Sequence, residues 1–309
     1  MCDSLIRLAV VGSGSDVTNW QDVSSRLRGG HIVAFGDSME VILERHQDEF
    51  DAVVIDNPLN DDHAAHRAAE ANKHVFIRSP VAENLLAAEA IIDACREAGI
   101  SFGVAQTLRY QPSSQTILDR LLAGKLGDPG LLRVHRWRSP SNKPLAEWLF
   151  PDLEFAARLF GAKPTEVFAL ARQDDDAMPG YVQLHLGYPA GGGYPAGGMA
   201  IMDFSASLPG GEGYDSLSLI GSSGAAYADD HRNTHLLYGG GDPSTLISGE
   251  GNGHVWREIQ SFIDAVRENK PSPVGEAECR TTHQVIGAVA QSLETGRVFS
   301  DQGGSYEPA

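Results

Sequence analysis

Two polar residues of the first third of the chain stand directly behind a short apolar run. Arg78 and Ser79 follow residues 75–77, whose β-branched and aromatic side chains predict a strand that is buried on both faces. Pro80 cannot continue a strand ladder and therefore ends this strand. Because open α/β sheets bind ligands just outside the carboxyl ends of their strands, we expect Arg78 and Ser79 at the edge of a binding crevice.

Gly12, Ser13 and Gly14 follow the first apolar run, where a dinucleotide-binding fold makes its first strand-to-helix turn. A complete phosphate-binding fingerprint has a third glycine three residues later, and Val17 stands at that place. Asp16 lies near the predicted helix start and would satisfy amides that otherwise hold a phosphate. The pattern is compatible both with a phosphate-binding turn and with a plain strand-to-helix turn.

Further polar residues follow the next two predicted strands. Asp37 forms a capping box with Glu40, which predicts that a helix begins at Asp37. Asn57 and Pro58 come after the third predicted strand, and His63 stands shortly behind them.

The pattern of elements divides the chain into two halves. In the first half strands alternate with helices, which is typical of a doubly wound parallel sheet. These strands are predicted at residues 6–11, 31–35, 51–55, 75–77 and 100–105. In the second half the alternation of residues 200–208 and the amphipathic helices at 254–267 and 277–295 predict an α+β domain, with a largely antiparallel sheet covered on one face.

Composition excludes several classes of function. The net charge of −17 and the pI of about 4.9 argue against nucleic acid as a partner, since phosphate binding needs clustered Lys and Arg. No apolar run approaches the length of a membrane span, and no secretory signal is recognised. Three scattered cysteines and the histidines His231 and His235 predict neither a disulfide framework nor a metal site. We therefore expect a cytoplasmic protein without a metal, a membrane contact or a nucleic-acid partner.

Several stretches resemble the glucose–fructose oxidoreductase / inositol dehydrogenase (Gfo/Idh/MocA) family. Residues 73–80 (Lys-His-Val-Phe-Ile-Arg-Ser-Pro) resemble its Gly-Lys-His-Val…Glu-Lys-Pro segment, and residues 106–112 resemble its Asn-x-Arg-Tyr-x-Pro hinge. Residues 124–127 and 254–299 are similar to further motifs of the family. The resemblance implies a shortened, N-terminal Rossmann-like domain and a C-terminal α+β domain. Their expected bounds are 1–112 and 113–309.

Proteins of this family are mostly NAD(P)-dependent oxidoreductases of sugars and polyols, and their second-domain sheet commonly mediates oligomers. The resemblance therefore implies NAD or NADP as cofactor, a sugar-like small-molecule ligand and a homo-oligomer formed through the C-terminal sheet. It assigns cofactor binding to Gly12, Ser13, Gly14, Asp37, Asn57, Pro58, Arg78, Ser79, Gln106 and Arg109. Arg109 either bonds a ligand oxygen or makes an interdomain salt bridge.

One βα unit of the nucleotide-binding half is missing relative to the family. If Asp37 is the acidic residue that would bind the adenosine ribose, the helix–strand pair behind it is lost. If residues 37–40 instead precede the next helix, the ribose-binding strand is lost. Together with Val17, Asp16 and the acidic surface, this loss predicts weak or absent NAD(P) binding.

The resemblance breaks down at the catalytic positions. The family's catalytic lysine falls on Ser79 and the glutamate before it on Arg78. Its catalytic histidine falls on Pro151 and its aspartate on Glu154, and we expect both residues in the first turn of a helix. The candidates for a relocated acid or base are Glu154 and His63.

Three hypotheses of function follow from the resemblance and its gaps. The first is an active NAD(P)-dependent oxidoreductase of a sugar or polyol derivative that uses a relocated acid or base. The second is a catalytically impaired or non-catalytic homologue, a pseudo-enzyme that binds a sugar-like ligand or a partner protein. The third is a structural subunit paired with an active paralogue. The missing lysine and histidine favour the second and third hypotheses.

Overall fold

The structure is a computed structural model of the whole chain. It describes residues 5–12, 20–59, 61, 63–139, 144–173, 179–191, 194–207, 213–229, 234–238, 244–247 and 253–309. Two compact units are present: the first comprises residues 1–110 and 251–283, and the second residues 111–250 and 284–309.

The first unit is built on a five-stranded parallel sheet. Its strands are β1 (Ile6–Val11), β2 (Gly30–Gly36), β3 (Ala52–Ile55), β4 (His74–Arg78) and β5 (Phe102–Ala105), in the order β2-β1-β3-β4-β5. The strands β1 and β3 are almost entirely buried, and so are residues 75–77 of β4, as expected for a parallel sheet covered on both faces. Because β2 pairs directly with β1, the arrangement favours the reading in which Asp37 follows the second strand and the next βα unit is lost.

Helices cover both faces of this sheet. They are α1 (Trp20–Arg26), α2 (Met39–His46), α3 (Ala64–Glu70) and α4 (Leu85–Glu97). The prediction that Asp37 caps α2 is wrong, because the hydroxyl of Ser38 accepts the hydrogen bond from the amide of Val41. The side chain of Asp61 accepts a bond from the amide of Met39 and satisfies a second donor of the same helix end.

Helix α7 (Gly253–Glu268) belongs to the first unit, whereas the predicted boundary assigned it to the second domain. Its apolar face, which includes Val255, Ile259 and Phe262, packs into the core formed by β1, β3 and α1. The rings of Phe262 and Phe76 lie 5.1 Å apart between centroids. Burial of this face, worth roughly 1.5–3 kcal/mol for each large side chain, explains why the helix belongs with the parallel sheet.

The second unit contains a ten-stranded sheet of mostly antiparallel strands. They are β6 (Pro129–Trp137), β7 (Glu166–Gln173), β8 (Pro179–Gly187), β9 (Met199–Ser205), β10 (Tyr214–Gly221), β11 (Ala225–Asp229), β12 (Thr234–Tyr238), β13 (Ser244–Ile247), β14 (Phe299–Asp301) and β15 (Tyr306–Pro308). Their order is β13-β12-β11-β10-β6-β9-β8-β7-β14-β15, and the pair β6–β9 is parallel. The α/β fold class predicted from the sequence is thus confirmed.

The remaining helices are α5 (Pro112–Leu122), α6 (Leu145–Phe160) and α8 (Glu276–Thr295). The placement of Pro151 and Glu154 in a first helical turn is wrong, because α6 begins at Leu145 and both residues lie in its interior. A proline inside a helix costs roughly 3 kcal/mol. Leu149, Phe150 and Leu153 are buried around it, and their burial outweighs that cost.

Other described features bear on the compositional predictions. Among the described helices, none combines the length and the apolar character that crossing a bilayer requires. Within the same ranges, no group of three or more His, Cys, Asp or Glu side chains is placed to hold a metal. Cys95 and Cys279 are buried free thiols, and burial raises the pKa of each to about 12. His231 and Leu208 lie outside the described residues.

Candidate functional site

The parallel register brings the predicted site residues of the first unit to one edge of its sheet. Val11 lies opposite Gly36 and Ile55, and Arg78 lies opposite Ala105, so the five strands end together. The residues at or just behind these ends are Gly12, Asp37, Asp56, Asn57, Pro58, Arg78, Ser79, Gln106 and Arg109. We call this the carboxyl edge. Ser13 and Gly14, which were also predicted there, lie outside the described residues.

The turn behind β1 brings two backbones close together. Gly12 has a φ of +83°, and a Cβ atom added to it would lie 3.2 Å from the amide nitrogen of Asn57. The amide of Gly12 donates to the carbonyl of Gly36, and the amide of Asp56 donates to the carbonyl of Val11. A side chain at position 12 would strain this crossing, which is the requirement that glycine meets here.

Arg78 and Asp56 form an ion pair between the ends of β4 and β3. One guanidinium nitrogen, Nη2, lies 2.7 Å from Oδ1 of Asp56, whose side chain is only 2% exposed, whereas the side chain of Arg78 is 44% exposed. The carboxylate is therefore a buried anchor, and the arginine that it holds extends to the surface of the carboxyl edge. The half-buried Ser79 follows directly.

Glu258 of α7 is a second buried carboxyl group at this edge. It is 4% exposed and accepts hydrogen bonds from the amide of Gln106 and the hydroxyl of Thr107. Its other oxygen, Oε2, is buried and has no hydrogen-bond partner among the described residues. Burial raises the pKa of Glu258 to about 8, with Asp56 acting in the same direction and Arg78 against it. The carboxyl group therefore keeps its proton at neutral pH.

Arg109 and Gln106 serve the local structure of the turn behind β5. Both are buried. A guanidinium nitrogen of Arg109, Nη1, donates to the carbonyl of Pro273 at 2.8 Å, and the amide of Arg109 donates to the carbonyl of Gln106. These bonds hold the 3-10 turn Thr107–Tyr110, so at least part of the donor set of Arg109 is used within its own unit.

Lys73 stands at the opposite end of β4. Its ammonium nitrogen donates to the carbonyls of Gln47 and Phe50 at 2.7 and 2.8 Å and lies over the ring of Phe50. This lysine therefore stabilises the amino edge of the sheet and is not an amine that acts at the carboxyl edge.

The two candidates for a relocated acid or base lie in different units. His63 is exposed at the start of α3, behind Asn57 and Pro58. Glu154 is 2% exposed in the interior of α6, in the second unit. Asp37 is exposed at the end of β2. The first unit thus brings together the predicted edge residues, while the predicted acid–base candidates do not meet within one unit.

Glu258 was missed by the sequence-based reasoning. It stands three residues after Val255 and four before Phe262, on the apolar stripe of α7. Acidic side chains are rarely fully buried unless their polar atoms have partners. A glutamate within the apolar stripe of α7 was therefore the sequence feature that could have identified Glu258 as a candidate site residue.

A separate cavity of about 620 Å³ lies elsewhere in the first unit. It is lined by Arg26, Arg28, Trp256, Gln260, Asp264 and Arg267. None of the predicted site residues belongs to it. Its exposed arginines stand beside Asp264 and the ion pair of Arg26 with Asp22, and they do not form a built anion site.

Comparison with known proteins supports the resemblance found in the sequence. No family model matches the chain. The chain is similar to the uncharacterized oxidoreductase YrbE of Bacillus subtilis, with 25% identity over 82% of this chain and 79% of that protein. It is also similar to the scyllo-inositol 2-dehydrogenase (NAD(+)) of the same species, with 22% identity over 94% of this chain and 95% of that protein.

Solved structures share the fold. An oxidoreductase of Agrobacterium radiobacter in complex with NAD+, L-tartaric acid and magnesium matches with a TM-score of 0.79 and 17% identity, covering 96% of this chain and 98% of that one. The aldose–aldose oxidoreductase of Caulobacter crescentus complexed with glycerol matches with a TM-score of 0.81 and 17% identity, covering 96% and 100%. The relatives and structural neighbours are thus oxidoreductases of the Gfo/Idh/MocA type.

Proposed function

We propose that this chain is a ligand-binding homologue of the Gfo/Idh/MocA oxidoreductases in which hydride transfer is impaired or absent. The observation that carries the proposal is the end of β4. Ser79 stands at the position of the family's catalytic lysine, and Arg78 beside it is paired with the buried Asp56 at 2.7 Å. A permanently charged guanidinium and an unactivated hydroxyl replace a group that could exchange a proton near neutral pH.

The cost to catalysis is large because oxidation of an alcohol removes a proton as its hydride leaves. Losing a positioned acid or base costs roughly 10²- to 10⁴-fold in rate. Losing a cation aimed at the developing alkoxide costs on the order of 10²- to 10³-fold more. Pro151, at the position of the family's histidine, supplies no acid or base that could replace the lysine.

The carboxyl edge fits a nicotinamide dinucleotide only in part. The tight turn at Gly12 and the exposed Asp37 behind β2 suit the pyrophosphate and the ribose of such a cofactor. Arg78 instead places a positive charge near the position of an oxidised nicotinamide. NAD binding by named relatives makes the cofactor a candidate here, but we expect an affinity weaker than about 1 mM, which titration calorimetry with NAD and NADP measures directly.

A panel of sugars and polyols assayed with both dinucleotides tests the proposed function. The wild-type protein is expected to show no turnover above background. Ser79→Lys alone should not restore turnover, because Pro151, at the position of the family's catalytic histidine, still supplies no acid or base. Robust turnover by the wild-type protein would contradict the proposal.

A second candidate function is an active oxidoreductase with a relocated base. Glu258 favours it, because a carboxyl group whose pKa burial raises to about 8 is matched to proton transfer near neutral pH. If the panel reveals turnover, Glu258→Gln, Glu154→Gln and His63→Ala identify the base as the variant that abolishes it. A protein inactive with the whole panel would exclude this function for those substrates.

The second unit carries the proposed interface for a homo-oligomer. Ala200, Met202 and Phe204 of β9 are buried on one face of the sheet, while the opposite face presents Met199 and Trp137, both partly exposed. A sheet face of this kind suits a symmetric contact with a second copy. Sedimentation showing only a monomer of 33.1 kDa at micromolar concentration would count against this assembly.

A further inference from the structure

Arg78, at the carboxyl edge, is held by a buried carboxylate and is also exposed to solvent. Asp56 holds Nη2 of Arg78 at 2.7 Å with a carboxylate whose exposed fraction is only 2%, while 44% of the arginine side chain is exposed. A guanidinium carries five N–H donors in a rigid fork that matches a carboxylate in two parallel bonds. Anchoring by a buried acid lowers the entropy that such a fork would lose on binding a ligand.

A second buried carboxyl group, that of Glu258, interacts with the same ion pair. Glu258, only 4% exposed, interacts electrostatically with both Arg78 and Asp56, and its Oε2 has no hydrogen-bond partner among the described residues. Leaving a buried polar atom unsatisfied costs roughly 1–3 kcal/mol. Because burial raises the pKa of this carboxyl to about 8, its charge changes above neutral pH, around pH 8.

We propose that Arg78, anchored by Asp56, binds the carboxylate of a small organic acid, and that above neutral pH, where Glu258 becomes ionised, this binding is coupled to the uptake of up to one proton by Glu258. The inference rests on the proposed function, since it names the ligand class of that same site. When Glu258 is protonated, Arg78 and Asp56 balance each other and the edge accepts an anion. When Glu258 is ionised, the same edge already carries excess negative charge and repels the ligand.

The proton has a defined source and destination. A bound carboxylate neutralises Arg78, which removes the attraction that favours the ionised form of Glu258. The proton then comes from solvent and stays on the carboxyl group of Glu258, and no covalent bond of the ligand changes. By linkage, the ligand must bind more weakly as the pH rises through the titration of Glu258.

Burial has the largest effect on the titration of Glu258, and Arg78 and Asp56 are the charged groups that act on it, beside the hydrogen bonds from Gln106 and Thr107. The 3-10 turn contributes Arg109, which donates to the carbonyl of Pro273, and Tyr110, whose hydroxyl bonds that of Ser261. From α1 come Asp22 and Arg26, which pair with each other at 3.0 Å. Strand β5 (Phe102–Ala105) carries no titratable side chain.

Titration calorimetry with matched ligands tests the proposal. The probes are acetate, D-gluconate and its uncharged counterpart sorbitol, each at pH 6.5 and pH 9.5. We expect saturable binding of at least one of the two carboxylates at the lower pH, about tenfold weaker binding at the higher pH and no binding of sorbitol. Repeating the titration near pH 8 in buffers of different ionisation enthalpy should reveal proton uptake.

Three variants separate the roles. Arg78→Gln should abolish carboxylate binding, Glu258→Gln should keep it but remove its pH dependence, and Arg67→Gln, at a partly exposed arginine of α3, should change neither. If Arg78→Gln does not fold, Arg78→Lys serves instead, because it keeps the charge but loses the fork and should weaken binding by about tenfold.

The failures of the two proposals differ. Absence of binding by both acids, or binding that Arg78→Gln leaves unchanged, would overturn the carboxylate site. Binding of sorbitol alone would overturn it too, while the proposed function as a ligand-binding protein would stand. Turnover with a dinucleotide would contradict the proposed function. The carboxylate site would then still be accepted or rejected on the calorimetric binding data alone.

Discussion

Each unit contains an arginine that is paired with a buried aspartate, and the two pairs differ in what the arginine can reach. In the first unit the side chains of Arg78 and Asp56 are 44% and 2% exposed, and in the second those of Arg136 and Asp152 are 8% and 4% exposed. The chemistry of the pairs is the same. The open arginine can exchange water for a ligand, whereas the closed one is bonded twice to Asp152 and serves as scaffold.

The difference follows from where each arginine stands on its sheet. Arg78 is the last residue of β4, so its side chain lies at the strand end, where a parallel sheet is uncovered. Arg136 lies in the interior of β6, on the buried face of the strand. Its partner Asp152 belongs to helix α6. Position along a strand thus separates the open pair from the closed one more clearly than residue type does.

The largest expected effect concerns the closed pair. Asp152→Asn removes a carboxylate that accepts two hydrogen bonds from the buried guanidinium of Arg136, and breaking this buried ion pair should lower the free energy of unfolding by about 3–5 kcal/mol. Chemical denaturation followed by circular dichroism measures this loss. The double variant Arg136→Met/Asp152→Leu should recover most of it, because an apolar pair carries no desolvation cost. A loss below about 1 kcal/mol for Asp152→Asn would mean that the closed pair is not scaffold.

The second prediction concerns the buried acid beside the open pair. An unfolded glutamate releases its proton near pH 4.5, whereas burial raises the folded pKa of Glu258 to about 8. The stabilising contribution is therefore complete below about pH 4.5 and is lost as the pH rises to about 8, at up to ~1.4 kcal/mol per pH unit. Glu258→Gln should remove this fall, and Glu97→Gln, at an exposed position of α4, should leave it. If the free energy of unfolding falls equally with pH in the wild-type protein and in Glu258→Gln, Glu258 is not the group responsible for the fall.

Much of the carboxyl edge was predictable, because its members stand directly behind strands. The run of residues 75–77 identified Arg78 and Ser79 as strand-end residues, and parallel register alone brings such ends together. Glu258 was not predictable in this way, since its place depends on how α7 packs on a sheet far away in the sequence. Pro151 was misplaced because burial on both sides of it outweighed a local helix rule.

The open pair itself should show an intermediate cost. Asp56→Asn removes a charged hydrogen bond at 2.7 Å, but the half-exposed Arg78 can recover hydration, so we expect a loss of about 1–2 kcal/mol. The same denaturation assay at neutral pH measures it alongside Asp152→Asn. If Asp56→Asn costs as much as Asp152→Asn, exposure of the arginine is not what distinguishes the two pairs.

A third arginine–aspartate pair extends the comparison to the fully open limit. Asp22 and Arg26 of α1 lie four residues apart with side chains 43% and 52% exposed, and their charged atoms approach to 3.0 Å. Water competes for both groups, so the pair should contribute only about 0.3–0.5 kcal/mol. Both residues also interact with the helix dipole, and a double-mutant cycle of Asp22→Asn and Arg26→Gln isolates the pair energy from that contribution.

The salt dependence of that cycle sharpens the comparison further. The Debye length falls from about 8 Å at physiological ionic strength to about 3 Å at 1 M salt, so raising the salt to about 1 M should reduce the coupling between Asp22 and Arg26 by about half. The coupling between Arg136 and Asp152, which is shielded from solvent ions, should change little under the same conditions. The coupling of Arg78 with Asp56 should fall between these limits, because a buried carboxylate is screened from one side only. If all three couplings respond equally to salt, the exposures of the side chains do not govern the energies of the pairs.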